Sequence, residues 1–337
     1  MNLNPRIPAI SRRSWGAAAG ALALAPALAG LGACDELTDQ PITIAAHVWV
    51  GYEPMFLARD KGWLDPKKVH LLQTASAFES VQALAQGKAL GAAMTLDEML
   101  TARATGMSLS LLLVFNSSLG ADMLLVPAGV QKLSSIKGLR IGYEASSVGA
   151  LMLAEVLQAA GLTQQDVQLV NIDVSQHMTA WQRQQADAFI TYEPVATQLL
   201  ELGMRRLFDS RQIPDTIIDV LAVRTDKLST HHTRALQQLL VGHFRALDHL
   251  MRNPQDAAYR MATRLNLPAS KVLAAYKGLV LPDAHNNYRL LAGQPSELSK
   301  TAQKLLVIML KAGLLKKSDD LTDLVRADYL PTDNLLK

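Results

Sequence analysis

Two copies of one tripeptide carry the clearest chemistry in the chain. Tyr52-Glu53-Pro54 and Tyr192-Glu193-Pro194 each follow a short apolar run of strand type and open a run of helical type. Proline suits the first turn of a helix, where its missing N–H is not needed, so the spacing puts each Tyr-Glu pair in a strand-to-helix loop facing a cleft. Two carboxylates near one cleft would repel a bare oxyanion and would hold an amine or an amino-heterocycle. Serine hydroxyls offer the opposite chemistry. Ser146-Ser147-Val148-Gly149 precedes a helical run, and hydroxyls with free N–H groups at a helix start hold an anion, although the same residues also serve as N-caps. Ser76, Thr95 and Ser118 stand just past three further predicted strands, where turn and cap roles compete with ligand contact. Trp49 is the aromatic best placed to stack on a planar ligand, and His47 is a candidate polar contact near the same loop. Trp63 and Trp181 read as packing residues. The residues expected to face a ligand are thus Trp49, Tyr52, Glu53, Ser76, Thr95, Ser118, Ser146, Ser147, Tyr192 and Glu193.

The single cysteine bears on compartment. Cys34 follows Leu31-Gly32-Ala33, after a segment with Arg6, Arg12 and Arg13 but no acid, and after an apolar run from Gly16 to Leu31. That order is the pattern of a bacterial lipoprotein signal peptide. A thiol is needed there because a thioether to diacylglycerol forms on it. Residues 1–33 are then a removed signal, and residues 34–40 a lipidated tether. The run is Ala/Gly-rich and broken by Pro26, whereas a membrane span needs about 20 strongly apolar residues. Ser11-Arg12-Arg13-Ser14-Trp15 suits either twin-arginine export or an ordinary basic start to a Sec signal. The 337-residue chain carries a formal charge of +3, and losing three arginines with the signal leaves the mature part neutral. A nucleic-acid partner therefore has no electrostatic support. With Cys34 lipidated, no cysteine remains for a disulfide, a thiolate metal site or a nucleophile.

Positioning such loops requires alternating strands and helices. Strand-type runs at 42–46, 69–73, 90–94 and 109–115 alternate with helical runs at 54–62, 76–86 and 96–104, several closed by glycine. The same grammar restarts at 138–143 and continues through 148–160, 167–171, 178–185, 188–191 and 195–202. Long amphipathic helices dominate after Leu228, at about 233–252, 254–265, 269–278 and 296–313. Alternation of this kind predicts α/β units with largely parallel sheets. Two strand-like segments, Met123 to Val126 and Asp219 to Val223, flank the second block. The expected architecture is two-lobed: residues 41–124 and 224–337 form lobe 1, residues 125–223 form lobe 2, and the ligand cleft lies between them. Hinges are expected near Met123 to Pro127 and Asp219 to Arg224.

Trp49-Val50-Gly51-Tyr52-Glu53-Pro54 with Ala58 and Gly62, then Ala83 to Ala89, Ser118 to Asp122, Lys137 to Gly142, Thr191 to Pro194, and Phe208-Asp209-Ser210 before Asp219-Val220-Leu221 occur in an order that resembles one family. It is the nitrate/sulfonate/taurine family of ABC-importer substrate-binding proteins, whose fold is shared with thiamine-precursor binding proteins. The resemblance implies a type II periplasmic-binding-protein fold and a monomeric receptor that closes on a small-molecule solute. It further implies delivery to a permease with its ATPase, no cofactor, and a place on the periplasmic side of the cell membrane through the lipid on Cys34. Two alternatives stay open: a receptor feeding a membrane signalling protein, and a pyrimidine- or menaquinone-pathway enzyme on the same fold. The sequence has no metal-ligand spacing, nucleophile elbow or phosphate loop to support the enzyme.

Overall fold

Strand-to-helix alternation organises the chain twice, once on each of two sheets. The computed structural model describes residues 39–145 and 148–331. Ile42–Ala46 (β1) is almost wholly buried, as an inner strand covered on both faces must be. It leads through a single turn of 3-10 helix at Val50–Tyr52 into Glu53–Asp60 (α1). Val69–Gln73 (β2), Ala77–Ala85 (α2), Gly91–Thr95 (β3), Leu96–Ala104 (α3) and Leu109–Ser118 (β4) follow. The chain then builds a second sheet from Met123–Val126 (β5), Arg140–Tyr143 (β6), Gln168–Asn171 (β7), Ala188–Thr191 (β8) and Arg205–Asp209 (β9), with Val148–Ala160 (α4), His177–Gln182 (α5) and Val195–Glu201 (α6) between them. Ile218–Arg224 (β10) returns to the first sheet. Thr233–Arg252 (α7), Pro254–Leu265 (α8), Ala269–Ala275 (α9), Leu279–Val280 (β11), Ala284–Leu291 (α10) and Glu297–Lys311 (α11) complete it.

The first sheet has the order β11-β4-β10-β3-β1-β2 and the second β7-β6-β8-β5-β9. β1 runs parallel to β2 and β3, and β6 parallel to β7 and β8. The sheets are nevertheless mixed, where the sequence predicts largely parallel ones. β10 is antiparallel to β3 and β4, and β5 antiparallel to β8 and β9. Strands reached by a direct crossing need no return helix, so they can lie against their neighbours' direction. The second crossing occupies residues 210–217. It precedes the expected boundary at 223/224, because Ile218–Arg224 hydrogen-bonds within the first sheet on both sides.

Two short segments, 119–122 and 210–217, carry the chain between sheets, and serines tie them together. The Ser118 and Ser210 hydroxyls are 2.7 Å apart, Gly120 N–H donates to Ser210 Oγ at 2.6 Å, and Ser210 N–H donates to the Asp122 carbonyl at 3.0 Å. Gly278 packs on this knot with φ +93°, and a Cβ there would meet the Gly120 carbonyl carbon at 2.8 Å. Behind the first sheet, α7 packs on α1 and buries Leu236, Leu239, Leu240 and Phe244. The α10 helix was not legible in the sequence, and its Asn287 explains why it docks. That side chain accepts from Val114 N–H at 2.8 Å and donates to Val114 C=O at 3.1 Å, completing β4 where its pairing with β10 shifts register.

Gly278→Ala is expected to lower stability by about 1–3 kcal/mol, because the left-handed backbone and the Gly120 contact both resist a side chain. Urea unfolding measures it.

Candidate ligand chamber

Carboxyl ends of strands converge where the two sheets meet, as expected for a cleft in α/β proteins. From the first sheet, His47 and Trp49 follow β1, Thr95 ends β3, and Asp219 in β10 lies opposite both Thr95 and Asn116. Tyr52 stands at the start of α1 and Glu98 in α3. From the second sheet come Tyr192 after β8, Val148 opening α4, and Asp122 on the crossing into β5. Together with Ile217 these residues enclose about 270 Å³ of space between atoms. About 10 Å³ of it admits the centre of a water-sized sphere, room for about one water. Tyr192 roofs the chamber edge-on against Trp49, ring centres 5.2 Å apart. Away from the chamber, Gln198 Nε2 donates to Asn266 C=O at 3.3 Å and Lys271 pairs with Glu201 at 2.8 Å, also joining the lobes.

The lining is acidic and aromatic. Glu98, Asp122 and Asp219 supply carboxylates, Trp49, Tyr52 and Tyr192 supply rings, and none of the lining residues is Lys or Arg. Burial pushes the Asp122 carboxyl up to about 7, and holds those of Glu98 and Asp219 well above the ordinary carboxylate range. Each acid also raises its neighbours, Asp97 acting on Glu98 and Asp122 on Asp219. His47 is pushed down to about 3 by burial and by Arg264 behind it, so it is neutral at physiological pH. Tyr52 Oη donates to Asp219 Oδ1 at 2.5 Å, and Thr95 N–H donates to Glu98 Oε2 at 2.8 Å. Asp122 Oδ2, Trp49 Nε1 and His47 Nδ1 are buried without a hydrogen-bond partner of good geometry. Gly51 gives the indole room: a Cβ there would lie 2.6 Å from Trp49 Nε1.

Of the residues the sequence put in the cleft, Trp49, Tyr52, Thr95 and Tyr192 line the chamber. Both glutamates are used elsewhere. The Glu53 carboxylate turns back from α1 to the Arg264 guanidinium, which also donates to His47 C=O at 3.0 Å and lies 3.4 Å over the Phe56 ring. Glu193 accepts from Thr197 N–H at 3.1 Å and from its hydroxyl at 3.0 Å, within its own helix start. The tripeptides also differ in backbone: Pro54 lies in the first turn of α1, whereas Pro194 follows a cis bond and caps α6. Ser76 caps α2, accepting from Glu79 N–H at 3.3 Å, and Ser118 belongs to the crossing knot. Ser146, Ser147 and Cys34 lie outside the described residues. Glu98, Asp122 and Asp219 were missed as site residues, though each left a trace. Glu98 is the fourth residue of the capping pattern Thr95-Leu96-Asp97-Glu98, and the two aspartates begin apolar strand runs.

A family model described as "NMT1/THI5 like" matches residues 49–257, most of both sheets and every chamber residue except His47. The chain belongs to this family. Its two-lobed fold is that of periplasmic binding proteins. The alkanesulfonate-binding protein SsuA from Xanthomonas axonopodis pv. citri, solved with MOPS, superposes with TM-score 0.71 at 18% identity, over 87% of this chain and 98% of that one. The aliphatic sulphonate binding protein SsuA from Escherichia coli gives 0.69 at 19%, over 86% and 92%. The nitrate-binding protein NrtA from Synechocystis PCC 6803 gives 0.69 at 13%, over 86% and 87%. No curated protein sequence matches significantly.

In this NMT1/THI5-like chain, Arg264→Met should cost about 3–5 kcal/mol, since it strands a buried Glu53. Adding Glu53→Leu should restore part of that loss. Chemical denaturation of the single and double variants measures the coupling.

Proposed function

We propose that this protein is the solute-binding lipoprotein of an ABC importer, and that its solute is a small molecule carrying an amine or an amino-heterocycle. One observation carries the choice of solute: three buried carboxylates and three aromatic rings line a chamber to which no Lys or Arg among the described residues contributes. Elsewhere, the buried acids Glu53 and Asp209 each have a guanidinium beside them. The chamber acids have none, so the neutralising charge is left to the solute. An ammonium or protonated ring nitrogen between Trp49, Tyr52 and Tyr192 would gain cation–π attraction as well as ion pairing. The neighbours named for sulfonates and nitrate support a binding role and periplasmic location. Their ligands are anions, and the acidic lining argues for a different solute here. Taurine-like zwitterions remain within the class, because the start of α4 at Val148 lies beside the chamber and helix starts favour anionic groups.

Solute bridging both lobes stabilises the closed form, with Tyr192 over Trp49, and a permease distinguishes closed from open. The lipid on Cys34 keeps the receptor beside that permease on the periplasmic face of the membrane.

Calorimetry and thermal shift on the purified protein test the solute class, using aminopyrimidines, quaternary ammonium compounds, taurine, alkanesulfonates and nitrate. Amine-bearing members are expected to bind, and one at about 100 times its dissociation constant adds about 2.7 kcal/mol. Glu193→Gln should leave that affinity unchanged. Binding confined to nitrate or simple sulfonates would overturn the solute class and keep the receptor. Cys34→Ser should move the protein from the membrane to the soluble periplasmic fraction on cell fractionation.

A further inference from the structure

Among the chamber acids, Asp122 differs in what its carboxylate is free to do. Asp219 is engaged by the Tyr52 hydroxyl and Glu98 by Thr95 N–H. Asp122 is 4% exposed, and its Oδ2 has no partner of good geometry. Its backbone belongs to the crossing: its N–H donates to Ser118 Oγ at 3.2 Å, and its carbonyl accepts from Ser210 N–H. The group best able to take a positive charge therefore sits on the segment that joins the lobes.

Among the described residues, the surroundings of Asp122 offer no other counter-charge. Asp97 and Glu98 face it from α3, Asp219 from β10, Tyr192 from the loop after β8, and Tyr52 and neutral His47 from the turn after β1. Glu144, buried after β6 beside Phe78 and Val174, adds to the negative field on Tyr192 and Glu98. The crossing's own guanidinium, Arg211, pairs with Asp209 at 2.7 Å. Arg264 is held by Glu53. Several acids this close in a dry site cannot all be ionised, so ligand-free Asp122 keeps its proton, as a carboxyl pushed up to about 7 does below neutral pH.

We propose that Asp122 reads the solute's positive charge, and that capture exchanges the Asp122 proton for that charge. The O–H bond of the carboxyl breaks, the proton leaves to bulk water, and the carboxylate pairs with the incoming cation, leaving the chamber's net charge unchanged. This rests on the amine-bearing solute proposed above. Tyr52 and Asp219 then act as positioning residues, since their mutual bond fixes the ring against which the cation lies.

N-methylpyridinium, a planar cation that cannot itself titrate, is the probe. Calorimetry of the full-length protein in two buffers of different ionisation heat counts protons. About one proton should leave per cation near pH 6 and fewer near pH 8, with affinity rising up to about tenfold per pH unit below neutrality. Asp122→Asn should weaken binding by about thirtyfold or more and abolish the release. A ligand-free comparison checks the proton separately. The native Asp122 pKa is raised above its unfolded value, so its protonated form favours folding and that advantage disappears as pH climbs toward about 7. The melting temperature of Asp122→Asn should therefore rise relative to the parent between about pH 5 and pH 8, and a flat difference would overturn the exchange. Probe binding equal in parent and variant overturns the assignment of Asp122 and leaves the solute class standing. Failure of the parent to bind any cation or amine of the panel overturns both.

Discussion

An ionised carboxylate taken out of water costs several kcal/mol unless a positive charge or enough hydrogen bonds take water's place, and this fold buries many of them near the meeting of its two sheets. Some are answered within the chain: Glu53 has Arg264, Asp209 has Arg211, and Glu193 accepts from Thr197 at the start of its own helix. Around the chamber the answer is incomplete: Glu98 accepts from Thr95 N–H and Asp219 from Tyr52, Asp122 Oδ2 has no partner of good geometry, and among the described residues no Lys or Arg lines the space. The molecule tolerates this by retaining protons, and a cationic solute removes the need for them.

The same constraint links recognition to motion. Asp122 lies on a crossing held by the Ser118–Ser210 pair, so the group that meets the solute's charge is covalently part of the path between lobes. Tyr192 and Trp49 supply the opposing walls, one from each sheet, and meet edge-on. Solute held between these groups touches both lobes at once, which is the condition for coupling binding to closure.

Much of the architecture was legible because periodicity is local. The strands at 42–46, 69–73 and 188–191, the helices at 96–104 and 148–160, and the long C-terminal helices can be read from spacing and glycine stops. The elements that escaped depend on distant partners. β9 carries Arg205 and Arg206, which obscure a strand until β5 supplies its pairing, and α10 docks through Asn287 onto a β4 backbone far away in sequence. Aromatic residues of the site were legible too, since Trp49, Tyr52 and Tyr192 sit in strand-to-helix loops that fold class alone brings to the cleft.

By itself the sequence determined the alternation of elements, the family-like order of motifs, and the strand-to-helix loops that hold the aromatics. Each is a property of neighbouring residues or of their order. Only the tertiary structure decided which acids face the chamber. Glu53 and Glu193 have the better local pattern, but a carboxylate's role depends on what lies within hydrogen-bonding reach, and Arg264 stands 211 positions from Glu53. Asp219 lies 167 positions from Tyr52, and the two meet because β10 inserts between β3 and β4. Charge pairing acts over a few ångströms in space, and distance along the chain does not report it.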